Sequence, residues 1–162
     1  MRLNVNGLVG RTIQKAAATA AFAPLASRFM PSVDRVFSRV TGGHFVPSQL
    51  LVPTLVLTTT GAKSGLARTT PLATLPGENG CWYVVGSNFG GTAHPGWSAN
   101  LLKTPRATVT FRGRTSEVEA HLLDEAEKAE VWPKLRAVWP TYDRYVETSG
   151  RELRVFRLNR QA

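Results

Sequence analysis

The stretch "TLVLTTTGAKSGLARTTPLATL", residues 54–75, decides the fold. Its first seven residues and its last eight are rich in Thr, Val and Leu, the composition of β-strands. Between them lies a short glycine-flanked turn, so the stretch reads as a hairpin: a strand over 54–60 and its partner over 68–75. A hairpin needs only the glycines. Lys63, Ser64 and Arg68 on the same turn are extra, and their donors suit a phosphate or a carboxylate.

Working outward, the same short period continues. "PGENG" (76–80) is a turn and "CWYVVGS" (81–87) a third strand. The glycine-rich loop "NFGGTAHPG" (88–96) leads into a short helix over 96–103, stopped by Pro105. Two strands follow, 107–112 and 115–123, with Val109 and Phe111 alternating against Thr108, Thr110 and Arg112 in the period of a half-buried strand. Asp124 and Glu127 have the spacing of a capping box, so a helix starts there. Trp132, Leu135 and Trp139 share one of its faces, and Pro133 is expected to kink or divide it. "ELRVFRLN" (152–159) closes the chain as a strand. About six mainly antiparallel strands with helices at the start, the middle and near the end predict an α+β fold built on a small barrel.

On the N-terminal side, residues 8–40 read as helical with breaks near Pro24 and Pro31, and 42–53 as a connector. The domain division is an N-terminal helical extension over 1–47 and a barrel domain over 48–162. "AAATAAFAPLAS" (16–27) is too short and alanine-rich for a secretory core and reads as a surface helix. Its neighbours Arg2, Arg11, Lys15 and Arg28 would also suit peripheral contact with an anionic membrane at the inner face of the cell. No run of the roughly 18–20 apolar residues that span a bilayer occurs.

Net charge is +9, and it is uneven. Residues 1–114 hold 12 Lys and Arg against two acids; residues 115–162 hold eight against nine. The positive field therefore surrounds the opening hairpin and favours an anionic ligand. One cysteine, Cys81, excludes a disulfide framework, fits a reducing cytoplasm and reads as core filler. His44, His94 and His121 are scattered, with no carboxylate at ligand spacing, which argues against a metal centre. "GAKSG" fails as a P-loop because Ala62, not Gly, precedes Lys63. Neither Ser64 nor Ser87 sits in a nucleophile elbow. The aromatics cluster in the acidic third, away from the cations, which argues against nucleic acid.

Two loops remain as one candidate site. The first offers Lys63, Ser64, Gly65 and Arg68. The second offers Ser87, Gly90, Gly91, His94 and Pro95, with Trp97 and Asn100 on the helix beyond. Glycines there permit close backbone approach, and a helix N-terminus adds partial positive charge.

Three blocks, "LTTTGAKSGLARTTPL", "VVGSNFGGTAHPGWSANL" and "WPTYDRYVETSGRELRVFRL", resemble the deazaflavin (F420)-dependent nitroreductase and quinone reductase family, from about residue 50 to 158. The resemblance implies a split β-barrel and hydride transfer from reduced F420 (F420H2) to a quinone, a nitroaromatic or a similar electron-poor acceptor. FMN is the lesser cofactor alternative. Ala62, Lys63, Ser64, Gly65 and Arg68 would hold the anionic arm of the cofactor, and Thr69, Thr70, Pro71, Leu72 and Ala73 would continue along it. Val85, Gly86, Ser87 and Asn88, with Gly96, Trp97, Ser98, Ala99 and Asn100, would line the deazaflavin and its linker, with Trp97 as an apolar wall. Trp139, Tyr142 and Tyr145 would close over the substrate. Ser87 and Tyr142 are the catalytic candidates, the first as a hydroxyl near the acceptor, the second as lid or proton donor at the edge of the cofactor. Asn88 departs from the family pattern, which often has Lys there. Ala73, Ser98 and Trp139 also replace common aromatics. The altered pocket keeps an alternative open: a barrel that binds F420 or a lipid-like molecule without turnover.

Overall fold

The computed structural model describes residues 52–162. The expected helical extension, and most of the connector after it, lie outside the described residues. Within them are six strands: β1 Thr54–Thr60, β2 Ala67–Pro76, β3 Trp82–Val85, β4 Arg106–Phe111, β5 Arg114–Leu122 and β6 Val155–Arg160. Three helices accompany them: α1 Gly96–Lys103, α2 Glu125–Val138 and α3 Tyr142–Ser149. The strands close in the order β1-β2-β3-β6-β5-β4, and every pairing is antiparallel. The expected small barrel is the fold.

Period-two alternation gives β3 and β6 two buried faces. Trp82 and Val84, with Phe156 and Leu158, point into the barrel, where they meet Leu55, Leu57, Val109 and Val118. Tyr83 and Val85, with Val155, point outward into a second core under the C-terminal helices, with Leu123, Val131, Leu135, Tyr142, Tyr145 and Leu153. Helix α1 stoppers the barrel by sending Trp97 and Leu101 into the first core; Trp97 meets Phe156 edge to face at 5.8 Å. Side chains of this size each contribute roughly 1.5–3 kcal/mol by leaving water.

The capping box forms. The Asp124 carboxylate accepts from the Glu127 amide at 2.8 Å, and the Glu127 carboxylate accepts from the Asp124 amide at 3.0 Å. Of the expected kink or division at Pro133, the division does not occur: α2 runs on through it, and the break falls at Trp139–Thr141. Pro133 and Ala129 are both exposed, so the carbonyl deprived of its helical partner can be hydrated instead. Cys81 is half-buried just before β3 and is not part of either core.

The pairing of β2 is lopsided. Its whole length up to Ala73 pairs with β1, but only Thr74, Leu75 and Pro76 pair with β3. From Ala67 to Ala73 no strand among the described residues lies on its other side. A proline is tolerated in a strand where one edge needs no donor, and Pro71 sits in this stretch. Beyond Val84 the two strands part: β2 runs back towards the opening turn, and β3 runs on through Val85 into the Ser87 loop. The barrel is split there.

Candidate functional site

The split brings the two predicted loops to opposite ends of α1. At the helix's C-terminal half, Asn100 Oδ1 accepts from the Ala62 amide at 2.8 Å, and its Nδ2 donates to Thr59 Oγ1 at 2.9 Å. Lys103 Nζ donates to the Ala62 carbonyl at 2.6 Å. The opening turn is further closed by the Gly61 amide on the Leu66 carbonyl and the Gly65 amide on the Gly61 carbonyl, both at 2.8 Å. Both polar backbone groups of Ala62 are thus used inside the protein, and so is the amide of Asn100. What the turn shows to solvent is Lys63, Ser64, Gly65 and Arg68, all exposed. Arg68 Nη2 donates to Ser64 Oγ at 3.5 Å, and neither cation forms an ion pair with a carboxylate among the described residues.

At the other end of α1, the Ser87 loop is shaped by unusual backbone. Asn88 and Phe89 take left-handed φ of 45° and 51°, followed by Gly90 at 78°. Asparagine tolerates this conformation better than lysine does. Its side chain also donates to the Ala93 carbonyl at 3.1 Å, bracing the loop from within. The departure from the common Lys at this position therefore has a local structural role. Gly90 is required by closeness as well as by φ: a Cβ there would run into Thr148 Oγ1 and lie 3.0 Å from Tyr145. Phe89 packs edge to face on Tyr145, with ring centroids 6.3 Å apart.

Loop and aromatic cluster thus form one wall. Tyr142 lies between Trp132 and Tyr145, at 6.0 and 6.4 Å, and is 4% exposed; Trp139 packs on the same core, half-buried. Desolvation pushes the Tyr142 phenol well above its ordinary value, with a further contribution from Tyr145. Burial also raises Tyr145, opposed by a hydrogen bond from Trp139. Both phenols stay protonated through neutral pH. Asp143 ties α3 to α2 by accepting from Trp132 Nε1 at 3.0 Å and from Arg136 at 3.2 Å.

Of the remaining predicted residues, Thr69 to Ala73 run along the edge of β2 that pairs with no strand among the described residues. Val85 is spent in the second core beside Val155, Gly86 is buried as well, and Asn88 is exposed. Gly96 to Asn100 form the first turns of α1, directly after the Ser87 loop. Trp97 is spent as barrel core. Ser98 is fully buried, its hydroxyl donating to the Pro95 carbonyl at 2.8 Å and accepting from Arg154 at 3.2 Å. Ser87 is half-buried and Ala99 exposed.

Sequence reasoning missed Phe89, Thr148, Arg151 and Arg154. Arg151 donates to the carbonyls of Gly86, Ser87 and Gly91, and Arg154 backs the loop through its own carbonyl, which accepts from the Gly86 amide at 2.7 Å. A loop so poor in side chains needs an outside partner, but nothing in its own residues names which arginine supplies it.

A groove of about 920 Å³ opens elsewhere, between the β2–β3 turn and α2, and includes none of the predicted site residues. Glu127 in its lining is already held by His121 at 2.9 Å and Arg157 at 3.8 Å.

Residues 31–160 match the model of the F420H(2)-dependent quinone reductase family. The chain belongs to that family. Among solved structures it is similar to an F420-H2 dependent reductase (FDR-A), with 31% identity and a TM-score of 0.60 over 66% of this chain and 94% of that one. A second, described as a domain-swapped dimer, is 27% identical with a TM-score of 0.62 over 77% and 95%. An Agrobacterium tumefaciens protein of unknown function, Atu2129, shares the fold at 21% identity, with a TM-score of 0.55 over 68% of this chain and 49% of that one. Membership in this quinone reductase family assigns the chain to F420-linked oxidoreductases at large. Among the described residues no helix is long and apolar enough to cross a membrane.

Proposed function

We propose that the protein is an F420H2-dependent reductase that passes a hydride from the reduced deazaflavin to a quinone, a nitroaromatic or a similar flat acceptor. The observation that carries this reading is the placement of the two loops at the ends of one helix of eight residues, roughly 12 Å long. Cations with no carboxylate partner among the described residues stand at one end and an aromatic wall at the other. That spacing suits an elongated ligand with an anionic arm and a planar head.

Lys63, Ser64 and Arg68 would hold the phosphate and carboxylates of the arm, and the edge of β2 that pairs with no described strand would follow it. Ser87 and Asn88 would meet the ring system. When bound, reduced F420 supplies the hydride. The chain's own work is to orient, to exclude water and to stabilise charge. Ser87 donates a hydrogen bond to an acceptor oxygen that gains negative charge. Tyr142 holds its proton at neutral pH, the form a proton donor needs, and Tyr145 and Trp139 shield it from solvent.

Titration of the purified chain with F420 and separately with FMN tests the cofactor, and oxidation of F420H2 in the presence of a menaquinone analogue tests the reaction. Tight F420 binding with acceptor-dependent oxidation is expected. F420 binding without oxidation by any quinone or nitroaromatic would leave a ligand-binding barrel and overturn the reductase reading.

A further inference from the structure

Arg151 follows Gly150, the left-handed residue that ends α3, and its half-buried side chain lies under the Ser87 loop. All three of its nitrogens are engaged. Nε donates to the Gly91 carbonyl at 3.1 Å, Nη2 to the Ser87 carbonyl at 3.0 Å, and Nη1 to the Gly86 carbonyl at 3.1 Å. Nη1 also lies 3.1 Å from Nδ1 of His94. No carboxylate pairs with Arg151 among the described residues. A planar fork aimed at three loop carbonyls is a geometry that lysine cannot copy.

The histidine contact has a chemical consequence. A guanidinium has no acceptor, so Arg151 donates and His94 Nδ1 must accept. Nδ1 is then without a proton, and the neutral ring carries its only N–H on Nε2. Desolvation and the charges of Arg154 and Arg151 hold His94 below its ordinary pKa, which keeps the ring neutral near pH 7. The Nε2–H points away from the guanidinium, from an exposed residue on the loop that bounds the split.

We propose that Arg151 is the positioning residue of the candidate site, fixing the Gly86–Gly91 loop by its carbonyls and setting His94 as an Nε2–H donor to a carbonyl or anionic oxygen of the bound ligand. The ligand in this proposal rests on the F420 reading; the tautomer does not.

The test uses the full chain. Long-range proton–nitrogen correlation at pH 8, assigned with a His94→Gln variant, reports which ring nitrogen carries the proton. The unaltered protein should show a bare Nδ1, and Arg151→Gln should show a mixture of tautomers. F420 affinity should fall roughly tenfold or more in Arg151→Gln and about three- to tenfold in His94→Ala, where one hydrogen bond is removed. Arg151→Lys, which keeps charge and most of the stem, should fold yet fail to restore either property. An Nδ1–H ring in the unaltered protein, or full F420 affinity in Arg151→Lys, would overturn the positioning role. An unaltered protein that shows the bare Nδ1 but does not bind F420 would overturn the cofactor reading alone.

Discussion

Asn100 and Ala62 are 38 positions apart, yet the Asn100 carboxamide accepts the Ala62 amide at 2.8 Å and reaches past it to Thr59. This one buried side chain joins the helix that stoppers the barrel to the turn that carries Lys63 and Arg68. Replacing it with Ala leaves the Thr59 hydroxyl and the Ala62 amide without their partner, at a cost of about 1–3 kcal/mol. F420 affinity should fall with it, because Lys63 and Arg68 lose their platform. Urea unfolding and F420 titration of Asn100→Ala check both; a variant with unaltered stability would show that the bridge is not maintained in solution.

Arg68 should behave in the opposite way. It is exposed, and among the described residues its side chain hydrogen-bonds to Ser64 alone. Arg68→Ala should leave stability within roughly 0.5 kcal/mol. Its F420 affinity should drop about tenfold, the loss of one charge-assisted contact of about 1.5 kcal/mol, and the remaining affinity should depend less on salt. Unchanged affinity would remove the cofactor's arm from this turn.

Tyr142→Phe isolates the phenol from the ring. The aromatic contacts with Trp132 and Tyr145 survive, so F420 binding should be nearly unaltered. Turnover should fall on the order of 10²-fold, the usual range for loss of a positioned acid. Steady-state kinetics with a menaquinone analogue decide; an unaltered kcat leaves Tyr142 as packing.

Gly90→Ala forces a Cβ into a left-handed residue that already touches Thr148 and Tyr145. Strain and overlap together should cost about 1–3 kcal/mol and loosen the loop against α3. A double variant, Gly90→Ala with Thr148→Ala, should recover part of the loss. Equal melting temperatures for the single and double variants would mean that backbone strain, and not the contact, sets the cost.

Glu127 accepts the Asp124 amide and lies against His121 and Arg157, and these contacts hold its carboxyl below the ordinary 4.5. A carboxyl depressed in the folded protein adds stability above its unfolded value and loses it as pH falls through the folded one. Glu127→Gln should therefore melt earlier than the unaltered chain at pH 7, and the two should converge on acidification below 4.5. A gap in melting temperature that stays constant down to pH 3 would mean that the carboxylate's charge contributes nothing.

The strands, α1 and the capping box of α2 were legible because each depends on residues a few positions apart. Val109 and Phe111 alternate with threonines, and Asp124 meets Glu127 across one turn. The basic turn was legible for the same reason: a hairpin needs no cations, so cations there stand out. Pro133 does not divide α2, since its own position and Ala129 face water, which sequence alone does not say. What only the tertiary structure decided is who holds whom. Ala62 is bound by Asn100, the Ser87 loop by Arg151 more than 60 positions away, and Gly90 by the approach of Thr148. Those pairings follow from where the barrel splits and from how α3 returns the chain to β6. They arise from the closing of long loops by two separate cores, and no local pattern of residues encodes them.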